Sequence, residues 1–492
     1  MTDTSTRRWL IAASCVAAVL ACLWLLGWIG RETTRAHLLH EAEHRLWVAE
    51  YGDPLWSWEL RKPRDLVAQK IFGHVQLSTD DEGLLATSTD GSAFEVGLPV
   101  RSPMDVAHWP LLQVVLHVSA PTQVRVLWQV DRTAAICTSD QSYDVDADEP
   151  MLAIPLDDVT GRQADGSACP RPTVIAWLLR LRMTMPAQAS VAFRRAALIT
   201  RAPPVTPSQP ASASGMKPGD MLALPPLARV HLDGRQGAND WLATRDRLLP
   251  RAPSAVITVD GDHAQPAPAE GHLEHGAAAL CAAYLAVLAW LAWRPRPRWE
   301  LPAILFGLLW LIAGLQWGTD FARPAALAFL AAVLFAAWRG WRTRPHPWRW
   351  LGSSFPAWLS PLALVPVAVL LAWLEGSGWT APLWRHALTY LGWAALQQWL
   401  MLAVVLPRAE AWRTPKPVAW IATALVFALL HTPNGAVMQL CFLAELAWAA
   451  CFLRWRSILP IAVAHALCAL IVEAGLTGGL IRSLEVSARF FL

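Results

Sequence analysis

VAWIATALVFALLHTPNGAVMQLCFLAELAWAACFLRWRSILPIAVAHALCALIVEAG, residues 418–475, reads as three apolar segments at 418–432, 436–453 and 457–475, parted by an HTPN turn and by Arg454 and Arg456. Each segment is apolar all round rather than along one stripe, which is the pattern of a helix in lipid or in a large core. At about 1.5 Å per residue the longer ones approach the thickness of a hydrocarbon layer. Working outward, similar runs occur near 276–293, 300–317, 324–338, 357–374 and 384–406, and a separate one at 9–29, WLIAASCVAAVLACLWLLGWI.

The whole chain has 492 residues, 54% of them hydrophobic and 16% charged. That balance is too apolar for a soluble enzyme and too charged for a pure bundle, so a mixed architecture is implied. A net charge of +3 provides no field to attract nucleic acid, which is excluded as a partner. The arginines cluster instead beside the apolar runs: Arg7 and Arg8; Arg294, Arg296 and Arg298; Arg339, Arg342, Arg344 and Arg349; Arg408, Arg413 and Lys416; Arg454 and Arg456. With nine spans, all of these fall on one side, while the opposite loops hold only Asp320, Arg323, Glu375 and Arg385 between them. The positive-inside rule then puts the N-terminus in the cytoplasm and residues 31–275 outside it, as in a multi-pass protein of a bacterial inner membrane. Many of the 29 tryptophans, Trp293, Trp299, Trp317, Trp338 and Trp350 among them, mark segment ends, where indoles anchor at the bilayer interface. A cleaved signal is the rival reading of residues 9–29, but the run is longer than a usual signal core and no small-residue cleavage site follows it.

The expected fold class is multi-domain: a polytopic α-helical membrane domain plus an extracytoplasmic antiparallel β-sandwich. An N-terminal anchor (1–30) leads to a charged helical stalk and the sandwich (31–201). A Pro-rich linker (202–226), a small extracytoplasmic unit (227–275) and an eight-helix membrane domain (276–492) follow. Within the second region LQVVLHV (112–118) puts Leu112, Val114, Leu116 and Val118 on one face, and QVRVLWQV (123–130) does the same for Val124, Val126, Trp128 and Val130. The APT between them signals a hairpin, and further strands are expected at 92–98, 151–156, 174–183 and 190–200. In the small unit a helix is expected around Trp241–Leu249 and a strand at 255–259. Cys15, Cys22, Cys281, Cys441, Cys451 and Cys468 lie within spans and read as small apolar residues. Cys137 and Cys169 are the pair that an oxidising compartment would allow to bridge. His74, Asp80, Asp81, His108 and His117 have no spacing that assembles a metal site or triad, and His263, His272 and His275 read as a solvated juxtamembrane stretch. Such a sandwich binds a protein or a glycan more readily than it catalyses, an inference from fold analogy.

Polar groups inside spans are costly, so each needs a partner or a purpose. The candidate catalytic groups are Gln397, Gln398, His431, Glu445 and His465, with Glu473 as a further carboxylate. Measured from the cytoplasmic ends of their segments, Gln398 and His465 lie about 12 Å deep and His431 about 20 Å. Three helices therefore carry amide and imidazole groups into the bilayer interior, and a shared polar site is preferred over isolated, internally capped histidines. Two histidines and a glutamate at this open spacing are no zinc signature, and no cofactor or metal is implied.

Two motifs add a resemblance. FALLHTPN (427–434), with a Phe four residues before a His, resembles the second motif of the CPBP intramembrane proteases, also called Abi or CAAX-protease-like. LRWRSILPIAVAHALCAL (453–470) resembles the third, a basic turn and a Pro leading into a helix with a second His. The resemblance spans about residues 357–475. It implies hydrolysis of a peptide bond within the membrane: a first-motif glutamate activates water, histidines assist, and a third-motif Asn helps to hold the oxyanion. The first motif, EExxxR in the family, aligns with QQWLML (397–402), so that Gln397, Gln398 and Leu402 replace the glutamates and the arginine, and Ala469 stands at the Asn position. An amide cannot take a proton at neutral pH. Either the pocket binds a membrane-adjacent polypeptide without cutting it, or Glu445 or Glu473 supplies the missing carboxylate. A different class of function is a non-catalytic assembly or sensory protein in which the bundle only anchors the β-sandwich. The partners expected are membrane lipid, a protein substrate or partner, and a protein or glycan at the sandwich.

Overall fold

The computed structural model describes residues 4–80, 83–148, 150–201, 211–212, 224–268, 273–314, 323–343, 347–376, 379, 384–412, 415–478 and 481–491. The chain divides into two units, one comprising residues 1–35, 237–239 and 270–492, the other residues 36–236 and 240–269. Anchor and stalk, expected as successive elements, form one 48-residue helix, α1 (Thr4–Tyr51), which belongs in part to each unit.

The second unit contains two antiparallel sheets around a common core. One runs Met151–Pro155, Leu111–Val118, Ser190–Ile199, Leu84–Ser88, Val75–Thr79, with Trp56–Glu59 also paired to Ser190–Ile199. The other runs Gly161–Arg162, Cys137–Ser139, Thr122–Gln129, Leu178–Thr184, Phe94–Leu98, with Tyr143–Val145 also paired to Thr122–Gln129. Alternation does what the sequence requires of it: Leu112, Val114, Leu116 and Val118 from the first sheet and Val124, Val126 and Trp128 from the second are all buried in one cluster. The hairpin expected across APT does not form. Leu111–Val118 and Thr122–Gln129 lie in different sheets, so the turn carries the chain from one layer to the other. Both strands have one apolar face, and each satisfies it across the sandwich rather than beside its sequence neighbour. Cys137 and Cys169 are bridged, with Cα atoms 6.1 Å apart.

In the small unit Arg229–Leu232, which the sequence did not single out, pairs in parallel with Val256–Val259 and with Ala211–Ser212. Helix α2 (Ala238–Leu248) makes the crossover. Leu227 and Val256 are buried in the same cluster as the sandwich core. Most of the Pro-rich linker, and His272 within the juxtamembrane stretch, lie outside the described residues.

The helices of the first unit are α3 (Leu273–Trp293), α4 (Pro297–Leu309), α5 (Arg323–Arg342), α6 (Phe355–Leu362), α7 (Leu364–Glu375), α8 (Trp384–Gln398), α9 (Leu406–Ala411), α10 (Lys416–Leu429), α11 (Gly435–Trp455) and α12 (Leu459–Leu476). Among the described residues seven helical stretches are long and apolar enough to cross a membrane, and Lys416–Leu429 is a shorter apolar helix. The apolar run expected at 300–317 begins as α4 and continues as a π-helical turn, Trp310–Gly314, beyond which residues 315–322 are not described. The N-terminal part of α1 packs on α11 through two glycines: a Cβ on Gly30 would lie 2.7 Å from the Gly435 Cα, so only glycine permits this approach. Gln439 of α11 donates to the Leu23 carbonyl at 2.9 Å in the same seam.

Arg339 and Arg408, read from the sequence as loop cations, are buried. Arg339 Nε donates to Glu300 Oε1 at 2.9 Å and Arg408 Nε donates to Glu300 Oε2 at 3.3 Å, tying α5 and α9 to α4 through one carboxylate. In a low-dielectric interior such charges persist only when paired, and Glu300 supplies both partners at once.

Candidate functional site in the membrane helices

Three helices converge on one polar cluster. Gln398 ends α8 and is followed by a π-helical stretch, Trp399–Val405, whose wider turns interrupt the α-helical register beside it. Gln398 is fully buried, and its Nε2 donates to Glu445 Oε2 of α11 at 2.9 Å and faces His465 Nδ1 of α12 at 3.3 Å. An amide nitrogen has two protons, one for each of these acceptors, so Nδ1 of His465 carries the lone pair and its Nε2 carries the proton. Glu445 Oε1 and Gln398 Oε1 are buried and have no hydrogen-bond partner among the described residues.

His431 stands in the turn after α10. Its backbone N–H donates to the Ala428 carbonyl at 2.9 Å, and its Nδ1 lies 2.9 Å from the Phe427 carbonyl. A carbonyl only accepts, so Nδ1 is protonated and Nε2 is left with a lone pair. The two histidines thus have opposite tautomers: one offers an acceptor and the other a donor. Both rings flank the Phe427 ring edge to face, with centroids 5.0 Å away for His431 and 5.5 Å for His465. Trp448 and Tyr390 pack on the His465 ring, at 5.1 and 6.2 Å. The Phe four residues before His431 is therefore the spacer that sets the distance between the imidazoles, the physical content of the FxxxH spacing.

His431 and His465 line one cavity of about 210 Å³, together with Tyr390, Trp448, Cys441, Cys468 and Ala469 and a mainly aliphatic remainder from α7, α11 and α12. Of the sequence candidates, Gln398, Glu445 and His465 are hydrogen-bonded into one chain, and His431 joins through Phe427 and the shared cavity. Gln397 is not brought in: its Oε1 is buried without a partner among the described residues and it does not line the cavity. Glu473 lies elsewhere, paired at 3.0 Å with His386. Leu402, where the family carries arginine, lies fully buried inside the π-helical stretch, among apolar neighbours.

The sequence reading passed over Asn434. Its Oδ1 accepts from Val437 N at 3.3 Å, capping α11, and its Nδ2 donates to the Ser483 carbonyl at 2.6 Å. The signal was available, since an Asn directly before an apolar helical run is an N-cap signature. Among the described residues no group of three or more His, Cys, Asp or Glu side chains is arranged to hold a metal.

Fold and site together define a multi-pass helical membrane domain with an imidazole, amide and carboxylate cluster carried by α8, α11, α12 and the turn after α10. Residues 357–471 match the family model Rce1-like, described as type II CAAX prenyl endopeptidase Rce1-like, over this C-terminal region. No curated protein matches the chain.

Proposed function

We propose that the Rce1-like region binds a membrane-adjacent polypeptide segment in the His431–His465 cavity and holds it without hydrolysing it. The observation that carries this reading is the Gln398–Glu445 hydrogen bond: the Glu445 carboxylate is bonded to an amide that in turn faces His465, and Glu445 does not line the cavity. His431 Nε2 can accept a proton from water, but the imidazolium so formed would face a carbonyl at Nδ1, with no carboxylate bonded to it among the described residues. Among mainly aliphatic and aromatic walls an uncompensated charge of that kind raises the barrier to the step. The proton left on His465 Nε2, on a ring that lines the cavity, remains suited to gripping a peptide carbonyl.

The region outside the membrane then serves recruitment, with the β-sandwich binding a protein or glycan partner of the captured chain. The arginine clusters support a cytoplasmic N-terminus and residues 31–275 outside the cytoplasm of a bacterial inner membrane. The Cys137–Cys169 bridge supports an oxidising compartment for that region.

The test uses purified full-length protein in nanodiscs and fluorescent apolar peptides tethered at the bilayer surface. Saturable binding is expected, weakened about tenfold when Ala469→Trp fills the cavity, a loss of about 1.4 kcal/mol, and mass spectrometry should find no new peptide termini. Binding that is absent, or indifferent to Ala469→Trp, refutes the proposal.

A further inference from the structure

We propose that residues 481–491 form a strap latched on the turn that carries His431, and that its release opens the cavity to the segment it binds. The inference concerns regulation of the site just described and rests on that cavity being the binding site.

The strap is seated at both ends and in the middle. Ile481 is fully buried, and its N–H donates to the Leu476 carbonyl at the end of α12 at 3.3 Å. Phe490 is fully buried at the other end, and Arg482 donates to its carbonyl. Between them, two hydrogen bonds run to the HTPN turn: Asn434 Nδ2 donates to the Ser483 carbonyl at 2.6 Å, and the Ser487 N–H donates to the Thr432 carbonyl at 2.7 Å. Ser487 adopts a φ of 54°, a left-handed conformation that a non-glycine residue takes at a cost and that the seated strap imposes. Between the latches, Leu484 forms part of the wall of the cavity that His431 and His465 also line.

These features distinguish a movable wall from a fixed one. Leu484 is only partly buried and packs against the cluster of Ala372, Val437, Leu476 and Ile481, whereas the rest of the lining, His431 apart, comes from helices. Strap and site share one polar junction, since Asn434 caps α11 with one end of its amide and latches the strap with the other. Lifting Ser483 and Ser487 from the turn removes Leu484 from the lining without breaking any hydrogen bond of the Gln398–Glu445–His465 chain. Because Ile481 and Phe490 keep their buried places at the two ends, lifting only the segment between them exposes little apolar area.

The cavity carries its own reporters, because Cys441 and Cys468 line it while Cys451, on the same helix as Cys441, does not. Full-length variants that keep the disulfide and one free cysteine are treated with N-ethylmaleimide in nanodiscs. Asn434→Ser retains a helix cap but removes the latch donor, and should speed modification of Cys441 and Cys468 roughly fivefold, the fold-change expected from one buried hydrogen bond. Leu484→Ala, which leaves both latches and the cap intact, should accelerate the same two thiols, and Cys451 should keep its rate in both backgrounds. Unchanged rates at Cys441 and Cys468 overturn the proposal, and so does equal acceleration at Cys451, which would mean general loosening. No peptide is present, so the result is separate from whether the cavity captures polypeptide.

Discussion

Replacing Gln398 by methionine keeps the volume of the side chain and deletes its amide. Gln398 is fully buried and its Nε2 serves Glu445 Oε2 at 2.9 Å and His465 Nδ1 at 3.3 Å. Gln398→Met therefore leaves two buried acceptors without a donor. In water-soluble cores each such loss costs about 1–3 kcal/mol, but side-chain hydrogen bonds measured inside bilayers average about 0.6 kcal/mol and reach about 1.7. The bilayer values apply at this depth, and because Glu445 Oε1 already lacks a partner, the upper part of that range is appropriate. Two bonds then amount to about 2 kcal/mol, or a fall of roughly 4–8 °C in the unfolding midpoint of a helical domain of this size. The assay is thermal unfolding of the full-length protein in detergent, followed by tryptophan fluorescence. Gln398→Met with Glu445→Met should restore about 1 kcal/mol relative to the sum of the singles, because the orphaned carboxylate is gone. A midpoint shift under about 1 °C for the single variant, or additivity within about 0.3 kcal/mol, would refute the shared polar cluster.

Glu300→Gln should destabilise the helical unit by about 3 kcal/mol or more, since Arg339 and Arg408 would then be buried with no counter-charge; the same thermal assay reads it, and an unchanged midpoint contradicts the ion triad. Cys137→Ser with Cys169→Ser, which opens a loop with a sequence separation of 32, should cost the sandwich about 3–4 kcal/mol in a denaturant titration, with the helical unit unaffected. His108 is held above the ordinary histidine range chiefly by its hydrogen bond to Asp105, with burial opposing. A raised folded-state value means the contribution is complete below pH about 6.5 and fades as pH rises through the raised value. The gap in unfolding midpoint between wild type and His108→Gln should accordingly be wide at pH 5.5 and narrow at pH 8.5, and a gap that widens with pH would contradict this sign.

The architecture could be read from the sequence where one period ran unopposed. Alternation in 112–118 and 123–130 located both strands to within a residue or so, and unbroken apolar runs located the membrane helices. Strand pairing was not legible, because a period of two states which face is buried and not which neighbour completes the ladder; hence the mistaken hairpin across APT. Arg339 and Arg408 were misread for a related reason. An arginine beside an apolar run has the same sequence signature whether it faces water or Glu300, and Glu300 lies on another helix, 39 residues from Arg339 and 108 from Arg408. The polar cluster of the candidate site was legible in its imidazoles and in Gln398 because polar residues inside apolar runs stand out in the sequence. The direction in which Gln398 points, and the exclusion of Gln397, depend on the π-helical stretch that follows, and no local residue pattern announces that change of register.

The most direct measurement compares peptide hydrolysis by the full-length wild type and by Gln397→Glu with Gln398→Glu, using identical membrane-tethered peptides and counting newly formed termini. The account expects none from the wild type, and expects cleavage by the double variant that disappears when His431→Ala is added. Wild-type cleavage that depends on His431 would contradict it, because the cavity would then activate water without the missing carboxylate.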